Sequence, residues 1–128
     1  MKDGIQGSHT TTNSLYAYDF NLNVQGIPVR ASRSGTVAWI KDTVTTCFDN
    51  PNVTGNGVVI NHADGTATLY MHLAPKQNGL PYGVVVANGN RVHQGAFIGR
   101  SGNTGYVRPC PGGYHLHFNR QNQGGQPW

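Results

Sequence analysis

Apolar residues recur along this chain with a period of two. No stretch of eleven residues or more repeats near 3.6, so strands are expected and helices are not. "YAYDF" sets Tyr16, Tyr18 and Phe20 on one face and Asp19 on the other. In "GTVAWIK", residues 35–41, Val37, Trp39 and Lys41 share one face and Ala38 and Ile40 the opposite one. "GVVIN" is a short apolar strand. The Asp-Gly of "ADGT" supplies the positive φ of a tight hairpin turn, and "TATLYMHL" returns from it. There Leu69, Met71 and Leu73 are expected on one face, with Thr68, Tyr70 and His72 on the other. "RVHQGAFIGRSGNTG" reads as two short strands and a glycine-rich turn. In "GGYHLHFNR", Tyr114, Leu116 and Phe118 point to a core. His115 and His117 face the other side, roughly 7 Å apart along the strand.

Eighteen glycines and seven prolines agree with many short strands and turns. The expected architecture is all-β: a single antiparallel β-sheet with long loops, one domain over residues 1–128. No apolar run is long enough to cross a bilayer, so no integral membrane segment is expected. The opening "KDGIQGSH" lacks the apolar core of a signal peptide. The chain is then either intracellular or a trimmed mature domain.

Charge narrows the chemistry. The formal net charge is +4, but the arginines are scattered and no basic run or helix is present, so no nucleic-acid partner is expected. All five acids are aspartates, and the absence of glutamate excludes H-E-x-x-H zinc proteases and H-x-E deaminases. Cys47 and Cys110 both lie in loop-like surroundings with proline or asparagine nearby. That favours a disulfide over two buried thiols, and hence an oxidising compartment. Such a bridge would pin the loop ahead of the His115/His117 strand.

Polar groups opposite apolar rows gather the candidate chemistry: Asp19, His72, His115 and His117, with His9 in a loop before the Asp19 strand. Imidazole and carboxylate are zinc ligands, and three protein ligands plus a water make a catalytic zinc site. Five groups exceed that number, so some must act beside the metal. Spacing alone leaves open which, and an H-x-H strand could chelate with both rings. His62 and His93 are read as hydrogen-bonded or solvent-facing, and the "NVT" sequon at Asn52 as a chance match.

Five blocks in order, "GSHTTTNSLYAYDF", "GIPVRASRSGTVAWI", "NGVVINHADGTATLYMHL", "VVVANGNRVHQGAFIGRSGNTG" and "GYHLHF", resemble the lysostaphin/LytM-type (β-lytic) zinc metalloendopeptidases over about residues 9–118. The resemblance implies zinc, one per chain, on His9, Asp19 and His117, with His72 and His115 as catalytic acid and base. It implies hydrolysis of peptide bonds in bacterial peptidoglycan cross-links, in a groove between loops, by an extracellular or periplasmic monomer. Nine residues separate His9 from Asp19, as in family members with a longer loop, and Tyr70, Tyr106 and Tyr114 receive no role. Degenerate members of the family set the alternative, a non-catalytic binding or regulatory domain of the cell envelope.

Overall fold

The computed structural model describes residues 25–76 and 83–124, together with the backbone of residues 17–21. Among these residues there are ten strands and no helix, as the period-two patterning requires. They are β1 (Ala17–Asn21), β2 (Pro28–Arg30), β3 (Gly35–Lys41), β4 (Cys47–Phe48), β5 (Gly57–Asn61), β6 (Thr66–Met71), β7 (Arg91–Val92), β8 (Phe97–Arg100), β9 (Gly105–Tyr106) and β10 (His115–Asn122).

The expected single sheet holds for its main part. Six strands form an antiparallel sheet in the order β1-β10-β6-β5-β3-β7. Two further pairs stand apart from it: antiparallel β2-β8 and parallel β4-β9. The β5–β6 hairpin turns where expected, with Gly65 at φ 86° and Asp64 accepting from the Thr66 backbone N–H at 3.0 Å.

Each face of the main sheet carries its own apolar cluster. On one face Val37, Val58, Ile60 and Tyr70 pack with Val29 of β2 and Ile98 of β8, and Leu116 and Phe118 close over them. The Tyr70 and Phe118 rings meet at 5.4 Å. On the other face Val59, Ala67, Leu69 and Met71 pack with Trp39. β5 is therefore apolar at every buried position because both its faces are covered.

Strict alternation fails at two places. In β3 the register steps from Val37↔Ile60 to Trp39↔Val59, leaving Ala38 as an extra residue. This bulge flips the rest of the strand. Val37 and Ile40 therefore face one cluster and Trp39 the other, not Val37 with Trp39 as alternation implies. In β6 the strand ends at Met71, because His72 adopts φ 65°. Leu73 consequently enters the Tyr70 cluster rather than joining Leu69 and Met71.

Candidate active site

The kink at His72 decides the site. Had β6 continued, His72 would have followed Tyr70 to the Tyr70/Phe118 face, away from the histidines of β10. A left-handed conformation is costly for a residue with a side chain, and it persists where surrounding contacts over-determine it. Those contacts are present. The Leu73 N–H donates to Asn56 O at 3.1 Å, the Ala74 N–H to Arg100 O at 2.8 Å, and Leu73 bridges Ser101. The His72 ring consequently swings to the Leu69/Met71 side. Its centroid lies 4.5 Å from that of His115 and 6.2 Å from that of His117, edge-on to the latter.

Two of the three imidazoles have a defined tautomer. A carbonyl oxygen can only accept, so His72 Nδ1 donates its proton to Thr104 O at 2.8 Å and His115 Nδ1 to Gly113 O at 2.7 Å. In each neutral ring the lone pair then sits on Nε2.

The "SGNTG" segment, residues 101–105, is the frame behind these rings. Ser101 bridges Leu73, and Gly102 bridges His115. Thr104 is fully buried. Its hydroxyl donates to Leu73 O at 2.7 Å and accepts from the Asn56 N–H at 2.9 Å, while its carbonyl holds His72. Asn56 is buried as well, and its side-chain amide exchanges two hydrogen bonds with the Val44 backbone. Backbone meets backbone here: a Cβ on Gly55 would come within 3.2 Å of His72 Nδ1 and collide with the Thr104 carbonyl. Gly105, at φ 81°, packs equally close to Gly55. The sequence marks a glycine-rich turn here but gives no role to Thr104, Asn56 or Gly55. Paired glycines around a threonine were the available sign of close backbone approach.

The expected residues are placed unequally. His72, His115 and His117 come together. Asp19 lies on β1, and the backbone register pairs it directly with His117, which is paired on its other side with Met71. His9 lies outside the described residues. Among the described residues no cluster of three metal-ligating side chains is present, and His117 is the one expected ligand whose side chain is described. His62 is buried at 3% exposure, on a different network: Nδ1 donates to Ser34 O at 2.7 Å and Nε2 meets Thr68 Oγ1 at 3.0 Å. His93 is exposed, as expected. Of the unassigned tyrosines, Tyr70 is buried in the cluster on the opposite face and Tyr106 lines the groove.

That groove encloses about 480 Å³. Among the described residues it is lined by residues 51–55, Leu69, Met71, His72, Tyr106 and His117. The Cys47–Cys110 disulfide anticipated from the sequence is formed, with 5.8 Å between the Cα atoms. It ties the loop after β9 to β4. Asp49 and Arg108 pair at 2.9 Å on the same loops, and this contact keeps the guanidinium of Arg108 more firmly protonated.

Residues 14–127 match the model of peptidase family M23, and the chain belongs to that family. The matched residues begin after His9. The chain is 35% identical over 100 residues to the peptidoglycan DD-endopeptidase ShyA of Vibrio cholerae, covering 78% of this chain and 18% of ShyA. It is 28% identical over 128 residues to stage II sporulation protein Q of Bacillus subtilis, covering 96% of this chain and 39% of that protein. Among solved structures it is similar to the antimicrobial peptidase lysostaphin from Staphylococcus simulans, with a TM-score of 0.59 and 31% identity over 85% of this chain and 38% of that one. The chain thus spans less than a fifth of ShyA and well under half of the other two.

Proposed function

We propose that this chain is the catalytic domain of a zinc-dependent endopeptidase that hydrolyses peptide bonds in bacterial peptidoglycan cross-links. One observation carries the reading: the ring of His72 meets those of His115 and His117, His72 and His117 line the groove, and His72 and His115 are each held by a backbone carbonyl in a single tautomer. Membership in a peptidase family and likeness to a peptidoglycan endopeptidase support it.

The donor set fits zinc. It combines imidazole with carboxylate, and the register sets Asp19 beside His117. His9, Asp19 and His117 would hold the ion. Zinc held there supplies Lewis acidity toward a water and a peptide carbonyl. The remaining work falls to the protein's own imidazoles, since the chain has no glutamate. With Nδ1 donating to a carbonyl, His72 and His115 each carry the ring lone pair on Nε2, the atom that can take or give a proton. One removes a proton from the attacking water. The other delivers one to the departing amine. Their carbonyl partners keep both rings from rotating, so neither has to be oriented during the reaction. The disulfide suits an extracellular or periplasmic setting, and we propose that the domain acts there as a monomer.

The test is incubation of purified peptidoglycan with the zinc-reconstituted protein, with and without chelator, followed by mass spectrometry of the fragments. Chelator-sensitive release of cross-link peptides is expected. A zinc-loaded protein that leaves every peptidoglycan intact overturns the reading. The outcome would then favour a non-catalytic envelope module. That second reading is supported by likeness, over nearly the whole chain, to a protein named for sporulation rather than for a peptidase activity.

A further inference from the structure

We propose that Asn103 is a positioning residue for His115, acting through the carbonyl of Gly112; this rests on the peptidase reading above. His115 donates its Nδ1–H to Gly113 O, only two residues earlier in the chain, at 2.7 Å. The tautomer and direction of the ring therefore depend on how residues 112–114 are folded. Those residues hold no shape of their own. Gly112 and Gly113 stand at φ 103° and 67°, and two successive glycines have the widest choice of backbone conformations of any pair. Contacts from elsewhere must select the observed one.

Asn103 makes such a contact. Its side-chain amide donates to Gly112 O at 2.7 Å, and since a carbonyl only accepts, Nδ2 is the atom that faces it. Asn103 is 9% exposed, so little water competes for the bond. One residue earlier, Gly102 O accepts the backbone N–H of His115 at 3.2 Å. Two neighbouring residues thus grip the segment on either side of Gly113. The anchored carbonyl fixes the plane of the 112–113 peptide. Close packing limits the rest: a Cβ on Gly113 would come within 2.7 Å of Pro109 O and 3.2 Å of Val107. The disulfide anchors this loop at Cys110, and Asn103 carries the anchoring on to the carbonyls beside His115. The residue after Asn103 serves the other imidazole, with Thr104 O accepting from His72 Nδ1 at 2.8 Å. Consecutive residues of one segment therefore set the two rings, Thr104 directly and Asn103 through Gly112.

The experiment reads the rings directly. Histidine ring ¹⁵N spectra of the intact, zinc-reconstituted protein, in slightly alkaline buffer, report which nitrogen of each imidazole carries the proton. In the parent, His115 should carry it on Nδ1 alone. Asn103→Asp keeps the size but sets a carboxylate oxygen against the Gly112 carbonyl, and Asn103→Ala removes the amide. In both variants His115 should populate the second tautomer while His72 keeps its own. Zinc should stay close to one per chain, and kcat should fall about 10–10²-fold with KM little changed. His62→Ala is the control for lost stability alone and should leave the His115 tautomer as in the parent. An unchanged Nδ1–H tautomer of His115 in both Asn103 variants, equal loosening of His72 and His115, an unchanged kcat, or the same tautomer change in His62→Ala would overturn the proposal. Should neither Asn103 variant fold, hydrogen exchange of the Asn103 side-chain amide in the parent decides it. Strong protection is expected, and exchange as fast as that of an exposed asparagine overturns the proposal. A tautomer change in the variants of a parent that cuts no peptidoglycan keeps the positioning role and defeats the peptidase reading. Hydrolysis by a parent whose His115 tautomer ignores Asn103 does the reverse.

Discussion

Two histidines flank strand β6, ten residues apart, and they have opposite fates. His62, before the strand, donates Nδ1–H to Ser34 O. His72, after it, donates Nδ1–H to Thr104 O. What lies around the rest of each ring separates them. His62 Nε2 meets Thr68 Oγ1, whose hydroxyl lies 3.1 Å from that of Tyr70, and Tyr70 in turn meets Ser32. His62, Thr68 and Tyr70 of this chain are buried. His72 instead turns its ring toward two other imidazoles and, with His117, lines the groove. The same residue type, held by the same kind of carbonyl contact, is a structural tie in one place and a candidate acid or base in the other. The difference comes from a single backbone angle, φ 65° at His72, which moves the ring across the sheet.

Exchange of each histidine with alanine should give the largest effects. His72→Ala should lower peptidoglycan hydrolysis about 10²–10⁴-fold with little change in thermal stability. His62→Ala should leave turnover near that of the parent and cost about 1–3 kcal/mol of stability by orphaning buried groups. Rates and melting curves on the two variants decide it, and a large turnover loss in His62→Ala would collapse the distinction.

Reduction of Cys47–Cys110 comes next. The two cysteines are separated by 63 positions, so loss of the bridge should destabilise the fold by about 4 kcal/mol in the chain-entropy account. Denaturant titration of oxidised and reduced protein measures it. Thr104→Val probes the contacts behind His72. It keeps the carbonyl but removes the hydroxyl that links Leu73 O to the Asn56 N–H. A loss of about 2 kcal/mol is expected. Turnover should fall because the contacts behind His72 loosen, and a variant with full activity would show that Thr104 does not hold the ring in place.

The smallest effect is at the turn between the two histidines. Hydrogen bonds from the Thr66 hydroxyl and backbone N–H, aided by Arg33, hold the Asp64 carboxyl well below its ordinary value of 3.8. A depressed carboxylate stabilises the fold above its unfolded pKa, and the contribution fades as pH falls from about 4 through the lower folded value. Asp64 is exposed, so Asp64→Asn should change stability only marginally at neutral pH, and the difference should disappear in acid. Melting temperatures of the pair from pH 7 to pH 2 check the sign.

Much of this was legible in the residues. Period-two patterning gave the strands, Asp-Gly gave the hairpin, and the H-x-H spacing gave two imidazoles on one face. The bulge at Ala38 was not legible, because nothing in "GTVAWIK" marks the extra residue until its partner strand fixes the register. The left-handed turn at His72 was equally hidden, since it is imposed by contacts with Asn56, Arg100 and Thr104 that are distant in sequence. The parallel β4–β9 pair is held by long-range contacts of two-residue strands too short to carry a pattern. Tertiary contacts outweighed local alternation at each of these places.

On the proposed function, the two histidines of β10 share a face and differ in role. Zinc content and peptidoglycan hydrolysis measured on the same purified variants test it most directly. His117→Ala should lose both metal and activity. His115→Ala should keep close to one zinc per chain while turnover falls about 10²–10⁴-fold. Loss of metal from His115→Ala as complete as from His117→Ala would contradict the account and make the pair a joint chelate.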